Sequence, residues 1–180
     1  NDMPGKAVCL NSIRYKMKEI IIRQVREKDS KAICNIYNFY VENTIISFEE
    51  QEVTQKEMEE RIHKTRKNYP WIVYEEEDQI LGYAYVGRWK ERAAYRHTVE
   101  DTLYVRHDVL GQGIGRALLE SLLKEVRKID VRVVMAVIAL PNERSVKLHE
   151  YYGFKKTGHF CGVGYKMDRW IDVGYWELQL

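Results

Sequence analysis

Residues 131–140 read Val-Arg-Val-Val-Met-Ala-Val-Ile-Ala-Leu. A run this apolar has to be a strand buried on both faces, so helices must cover it from two sides. It is far too short to span a membrane. Residues 113–128 just ahead of it predict a strong amphipathic helix. Ile114, Leu118, Leu122 and Val126 recur four apart, with Leu119 and Leu123 beside them. Pro141-Asn142 breaks the strand. A second helix over about 143–152 then ends at Gly153, a residue suited to a left-handed cap.

The rest of the chain has to fit around that strand. Residues 20–25 are β-branched and bounded by charge, so they predict a strand. Asp29 or Ser30 caps a helix over 30–42, with Ile33, Ile36, Tyr37, Tyr40 and Val41 at helical spacing. Thr54 opens a capping box with Glu57 and a mostly charged, solvated helix to about 67. Residues 71–75 and 80–89 predict strands around an acidic turn, and 93–105 a longer strand. Residues 154–161 and 173–180 predict the last two strands. The order is β-α-α-β-β-β-α-β-α-β-β. Three strands in succession exclude a doubly wound parallel sheet. The expectation is a mixed α/β fold, a mixed sheet with helices on both faces.

The length of 180 residues favours one domain, placed at 17–180. Residues 1–16 have weak periodicity and read as an upstream extension or expression remnant. Lys and Arg total 29 and Asp and Glu 27, a net charge of +2. That balance gives no sign of a nucleic-acid partner, and nothing points to a membrane. Cys9, Cys34 and Cys161 are too few and too scattered for a disulfide framework or a zinc cluster. They are expected to be free thiols packing as small hydrophobes in a reducing, cytoplasmic compartment, with no metal.

The chemistry concentrates at residues 105–116, where Gly111, Gly113 and Gly115 join a strand to the strongest helix. Closely spaced glycines let backbone approach a ligand, and a helix N-terminus suits an anion such as pyrophosphate. The spacing G-x-G-x-G is not the dinucleotide fingerprint, and Gly115-Arg116-Ala117 is not a P-loop ending. A coenzyme A pyrophosphate site remains, beside the plain reading of a glycine-rich turn.

This turn, after Leu103-Tyr104-Val105, resembles motif A of the GNAT N-acetyltransferase superfamily, Q/R-x-x-G-x-G/A. Leu110 stands where that pattern wants Gln or Arg. Further strings narrow the resemblance: T-V-E at 98–100, L-P-N at 140–142, L-H-E at 148–150 and D-V-G-Y-W at 172–176. Together they resemble the phosphinothricin acetyltransferase branch, over nearly the whole chain from 20 to 180. The resemblance implies acetyl-CoA as cosubstrate, a small α-amino acid such as phosphinothricin or methionine sulfone or sulfoximine as amine substrate, and a homodimer. The aromatic last strand around Tyr175 and Trp176 would supply its apolar surface.

Amide formation needs a neutral amine, so a base near it helps. Glu100 is the candidate. It alternates with Thr98, Thr102 and Tyr104 on one strand face, where an unpaired acid costs desolvation and invites a functional account. The resemblance also places the base at this glutamate. A backbone N–H near Val105 is the expected donor to the thioester oxygen. The resemblance implies that this strand splays from its parallel neighbour, leaving amides for the pantetheine arm. Coenzyme contacts are expected from Leu103, Tyr104, Val105, Gly111, Gln112, Gly113, Ile114, Gly115, Arg116 and Asn142. Asn142 also suits a helix N-cap. His149 occupies the slot that many members give to a thiolate-protonating tyrosine, with Tyr151 and Tyr152 as alternatives. Lys90, Arg92 and Tyr95 lie in the segment the family uses for substrate, where arginine suits a carboxylate. Phe48, and Tyr165 or Lys166 in a penultimate loop, are further candidates.

Two other functions stay open: acetylation of protein amines or polyamines, and a coenzyme A-binding module without catalysis. A protein substrate is expected to need an acidic groove, and the retained Glu100 speaks for catalysis.

Overall fold

Seven strands share one sheet in the order β1-β2-β3-β4-β5-β7-β6. The structure is a computed structural model and describes residues 19–180. The expected extension at 1–16 and Cys9 therefore lie outside the described residues. Strands β1 (Ile20–Gln24), β2 (Trp71–Glu76), β3 (Gln79–Arg88) and β4 (Thr98–Val105) form an antiparallel run. Strand β5 (Val133–Leu140) lies parallel to β4 and antiparallel to β7 (Arg169–Gln179), which pairs with β6 (Lys155–Lys166). The mixed sheet is the one expected.

Helices cover both faces. On one, α3 (Ile114–Val126) and α4 (Glu143–Tyr151) seal a core of Leu118, Leu119, Leu122, Val126, Val99, Val134 and Trp176. On the other, α1 (Ser30–Asn43) and α2 (Gln55–Arg66) close over Ile33, Ile36, Met58, Ile62, Trp71, Val73 and Tyr83. The Thr54–Glu57 capping box forms as read. Burying one such side chain is worth about 1.5–3 kcal/mol, so these two layers supply most of the drive to fold.

Three expectations are corrected. The long strand over 93–105 is a 3-10 turn (Ala93–Tyr95) followed by β4. The last two strands are longer than read and meet at a tight turn of Met167 and Asp168, both left-handed at φ 52° and 57°. Tyr165 and Lys166 therefore end a strand and do not sit in a loop. Cys34 packs in the core and its thiol donates to Val53 O, but Cys161 is exposed.

Candidate active site

Strands β4 and β5 are paired only at Thr98–Val133, Val99–Val134 and Glu100–Met135. Beyond Glu100 they part, as the splay implied by the resemblance requires. The Arg106 N–H donates to Leu81 O at 2.7 Å, on the β3 side. Strand residues alternate, so the amides of Val105 and Leu103 face the gap. Side chains alternate too. Glu100, Thr102 and Tyr104 leave the sheet towards α1, while Asp101, Leu103 and Val105 leave it towards α3 and α4. The wedge is thus a passage between the two faces of the sheet.

A cavity of about 1130 Å³ fills this wedge. Its walls include Glu100–Val105 of β4, Ala136–Ala139 of β5, and the turn residues Val109, Leu110, Gly111 and Gly113. Ile114, Gly115 and Arg116 of α3, and Asn142–Ser145 with Lys147–His149 of the α4 limb, complete that end. Gly111 and Gly113 have φ of 83° and 84°, with open space where a Cβ would stand. Only glycine adopts that geometry without strain, so a side chain there is resisted by the backbone. The first turn of α3 opens onto the cavity beside Arg116, Arg144 and Lys147, a setting that suits phosphates.

The amine end is aromatic and acidic. Tyr37 and Tyr40 of α1 meet Tyr104 at ring distances of 5.2 and 5.1 Å. Tyr37 donates to Glu49, which Arg61 also grips through two hydrogen bonds. Burial pushes the Tyr37 hydroxyl up to about 12, so it stays a donor. Phe48 hangs from the 44–54 loop into this end. Lys166 holds the loop from below, donating to Val41 O at 2.6 Å and Ser47 O at 2.7 Å. Burial lowers its pKa, which Glu50 and Glu49 oppose.

Glu100 lies half-buried where the strands part, and its carboxylate has no hydrogen-bond partner among the described residues. Burial, then the charge of Asp101, pushes it up to about 7. That is the pKa a base working at neutral pH needs. Asp101 and His149 form a buried pair on the opposite face, with Nε2 at 2.9 Å from Oδ2. Burial opposes a charge on His149, but Asp101 outweighs it and holds the imidazole above its usual pKa.

The GNAT acetyltransferase domain model matches residues 22–174. The chain belongs to that family. This acetyltransferase is 39% identical over 160 residues to a phosphinothricin N-acetyltransferase of Streptomyces viridochromogenes, covering 89% of this chain and 87% of the relative. It is 35% identical over 160 residues to an L-methionine sulfoximine/L-methionine sulfone acetyltransferase of Salmonella typhimurium, covering 88% and 94%. It also superposes on an acetyltransferase from Salmonella typhimurium solved with its cofactor acetyl-CoA. There the TM-score is 0.87 and the identity 34%, with coverage of 89% and 94%.

Most of the predicted contacts of this acetyltransferase meet in the wedge: Glu100, Leu103, Tyr104, Val105, Gly111, Gly113, Ile114, Gly115, Arg116, Asn142, His149 and Phe48. Others do not. Gln112 is exposed off the cavity wall. Lys90 and Arg92 are exposed and Tyr95 is only partly covered; all three lie outside the cavity, Lys90 resting 4.2 Å above the Trp89 ring. Neither tyrosine reaches the cavity. Tyr152 donates to Arg116 O, and Tyr151 is held by the Arg116 guanidinium. Both ring nitrogens of His149 are engaged, Nε2 by Asp101 and Nδ1 by Ser145 O at 2.8 Å. Asn142 caps α4 by accepting from the Ser145 N–H.

Sequence reasoning missed Asp101, although the argument about an acid in a central strand applied to it equally. It also missed Tyr37, Tyr40 and Glu49, whose signal as helix and loop residues is weak. Among the described residues one group has metal-ligand character, His159, Cys161 and Asp172, and it lies off the cavity. No helix among the described residues is long and apolar enough to cross a membrane.

Proposed function

We propose that this enzyme transfers the acetyl group of acetyl-CoA directly to the α-amino group of a small amino-acid-like substrate of the phosphinothricin, methionine sulfone or methionine sulfoximine type. One observation carries the mechanism: an unpartnered carboxylate with a pKa near 7 stands where a parallel ladder ends in a ligand-sized wedge. The coenzyme lies against the first turn of α3, with Gly111 and Gly113 giving its phosphates room. The thioester sits in the gap. The amine arrives from the α1 face.

Glu100 takes a proton from the substrate ammonium, leaving a neutral nitrogen with a lone pair. That nitrogen attacks the thioester carbonyl carbon. The amides of Leu103 and Val105 face the gap and donate to the oxygen as it becomes negative. The C–N bond forms and the C–S bond breaks. The nitrogen loses its second proton, and the departing thiolate takes one up. The products are an N-acetylated amine and free coenzyme A.

The substrate class is supported by the names of the similar enzymes. A second reading is favoured by the amine end itself: its wall carries the acids Glu49 and Glu100, while the lining cations sit at the coenzyme end. That arrangement suits a polyamine or a protein amine. Thiol release from acetyl-CoA, measured across phosphinothricin, methionine sulfone, other amino acids and polyamines, decides between them. Turnover confined to polyamines would overturn the amino-acid reading.

The remaining parts of the proposal are one domain over 17–180, a homodimer and a cytoplasmic location. The thiols of Cys34 and Cys161, which are free, support a reducing compartment. A homodimer is supported by apolar side chains exposed on the β6–β7 hairpin: Phe160, Val163, Tyr165, Met167 and Trp170. From the last strand that surface draws on Trp170 and not on Trp176, which is buried in the core.

A further inference from the structure

Asp101 is the first residue past the last rung between β4 and β5, at the point where the strands part. Its side chain is 2% exposed and reaches His149, 6% exposed, on α4. Each ring nitrogen of His149 faces an acceptor. Nδ1 is 2.8 Å from the Ser145 carbonyl, which has no proton to give and lies closer than the Ser145 hydroxyl at 3.3 Å, and Nε2 is 2.9 Å from the Asp101 carboxyl. Two acceptors demand an N–H on both nitrogens. Asp101 holds the imidazole above its usual pKa, so the shared proton rests on the ring. His149 is therefore an imidazolium, and Asp101 is the charged group that neutralises it. The Phe154 ring packs against the imidazole in a T-shaped contact, with ring centres 5.0 Å apart.

Helix α4 follows β5 through the Pro141-Asn142 turn. The pair thus joins the β4 limb to the β5–α4 limb just where backbone bonds between them stop. The cavity lies between these two limbs, with Leu103 and Val105 on one side and Ala136, Ile138 and Leu148 on the other. A buried ion pair holds only as a pair, because removing one member strands the other charge.

We propose that Asp101 and His149 act as a positioning clip that sets the opening of the β4–β5 wedge for the acetyl-CoA arm, and that His149 is not the acid that protonates the thiolate. The inference rests on the acetyl-CoA reading of the cavity, not on the identity of the amine. Its tests accordingly include two readouts that need no amine.

Nitrogen NMR of the 15N-histidine-labelled full chain at pH 7.5 should show both His149 nitrogens protonated. Asp101→Asn offers an N–H to Nε2 while Nδ1 keeps its own, so the ring should become neutral with the bond intact. Calorimetry with coenzyme A should then give an affinity within about threefold of wild type for Asp101→Asn. Asp101→Leu, which strands the buried imidazolium, should weaken it about tenfold or more. The KM for the amine should move less than twofold in both. A neutral His149 in the wild-type protein would overturn the proposal, and this holds even if Asp101→Leu fails to fold. So would unchanged coenzyme affinity in a folded Asp101→Leu. A His149→Gln enzyme that binds coenzyme A normally but loses about a hundredfold or more in kcat would make His149 the acid after all.

Discussion

Glu100 has a folded pKa near 7, above the usual glutamate value, so two opposite pH effects attach to one residue. Activity should rise with pH through about 7, because only the carboxylate accepts a proton. Glu100→Gln should cost ~10²–10⁴ in kcat/KM at neutral pH, with partial recovery at high pH where the amine is already neutral. A pH profile of both enzymes checks this, and near wild-type turnover at pH 7 would rule Glu100 out as the base. Stability runs the other way. A folded pKa raised above the unfolded one means the fold prefers the neutral carboxyl. Glu100 therefore favours the fold at acid pH and loses that advantage as pH climbs from the unfolded value through 7. Glu100→Gln should melt about 2–4 °C or more above wild type at pH 8, with the difference closing towards pH 5. Differential scanning calorimetry at the two pH values reads it. Glu100 was legible because one unpaired acid in a buried strand is chemically conspicuous. The partner of His149 was not, since pairing between β4 and α4 depends on how two distant segments meet.

The glycine turn and the helix it opens work as one unit. Gly113 has φ 84°, so Gly113→Val must strain the turn or reshape it, at a cost of order 1–3 kcal/mol. The KM for acetyl-CoA should rise by roughly tenfold or more while that for the amine stays close to wild type. Steady-state kinetics with each substrate varied in turn checks the split. On the far side of the cavity, a Cβ at Gly164 would stand 2.3 Å from the Phe48 ring. Phe48 is 45% exposed and free to swing, so Gly164→Ala should fold but push the ring aside. Its signature is the mirror image: the KM for the amine changes and that for acetyl-CoA does not. Helices and central strands were readable because their apolar periods are strong, as in Leu118–Leu122–Val126 and 133–140. The misreadings have local causes. The two-residue turn at Met167-Asp168 is left-handed without glycine, so it lacks the Asn-Gly signal that marks a hairpin. At 93–95 the alternation looked like strand, yet β4 begins only at Thr98, where pairing with Val133 of β5 starts, and pairing with β3 starts at Val99 opposite Arg88.

At the scale of the whole molecule, the β6–β7 hairpin turns five large apolar side chains outward, with Trp170 70% exposed. In the proposed homodimer a second copy covers them. Val163→Glu with Trp170→Glu should convert the protein to monomer by light scattering at micromolar concentration, and a wild-type protein already monomeric there would refute the dimer. The parted strands have a consequence for the sheet as a whole. Six seams join its seven strands, and the β4–β5 seam closes over only three rungs. The sheet thus has one unfinished seam, and in the proposed mechanism the coenzyme arm supplies the missing stitches. Coenzyme A at a hundred times its Kd should add about 2.7 kcal/mol to the stability of the whole domain. The amides of Leu103 and Val105 should trade hydrogen for deuterium quickly when the gap is empty and slowly when it is filled. On that proposal, the molecule consumed in each turnover is also the one that completes the fold.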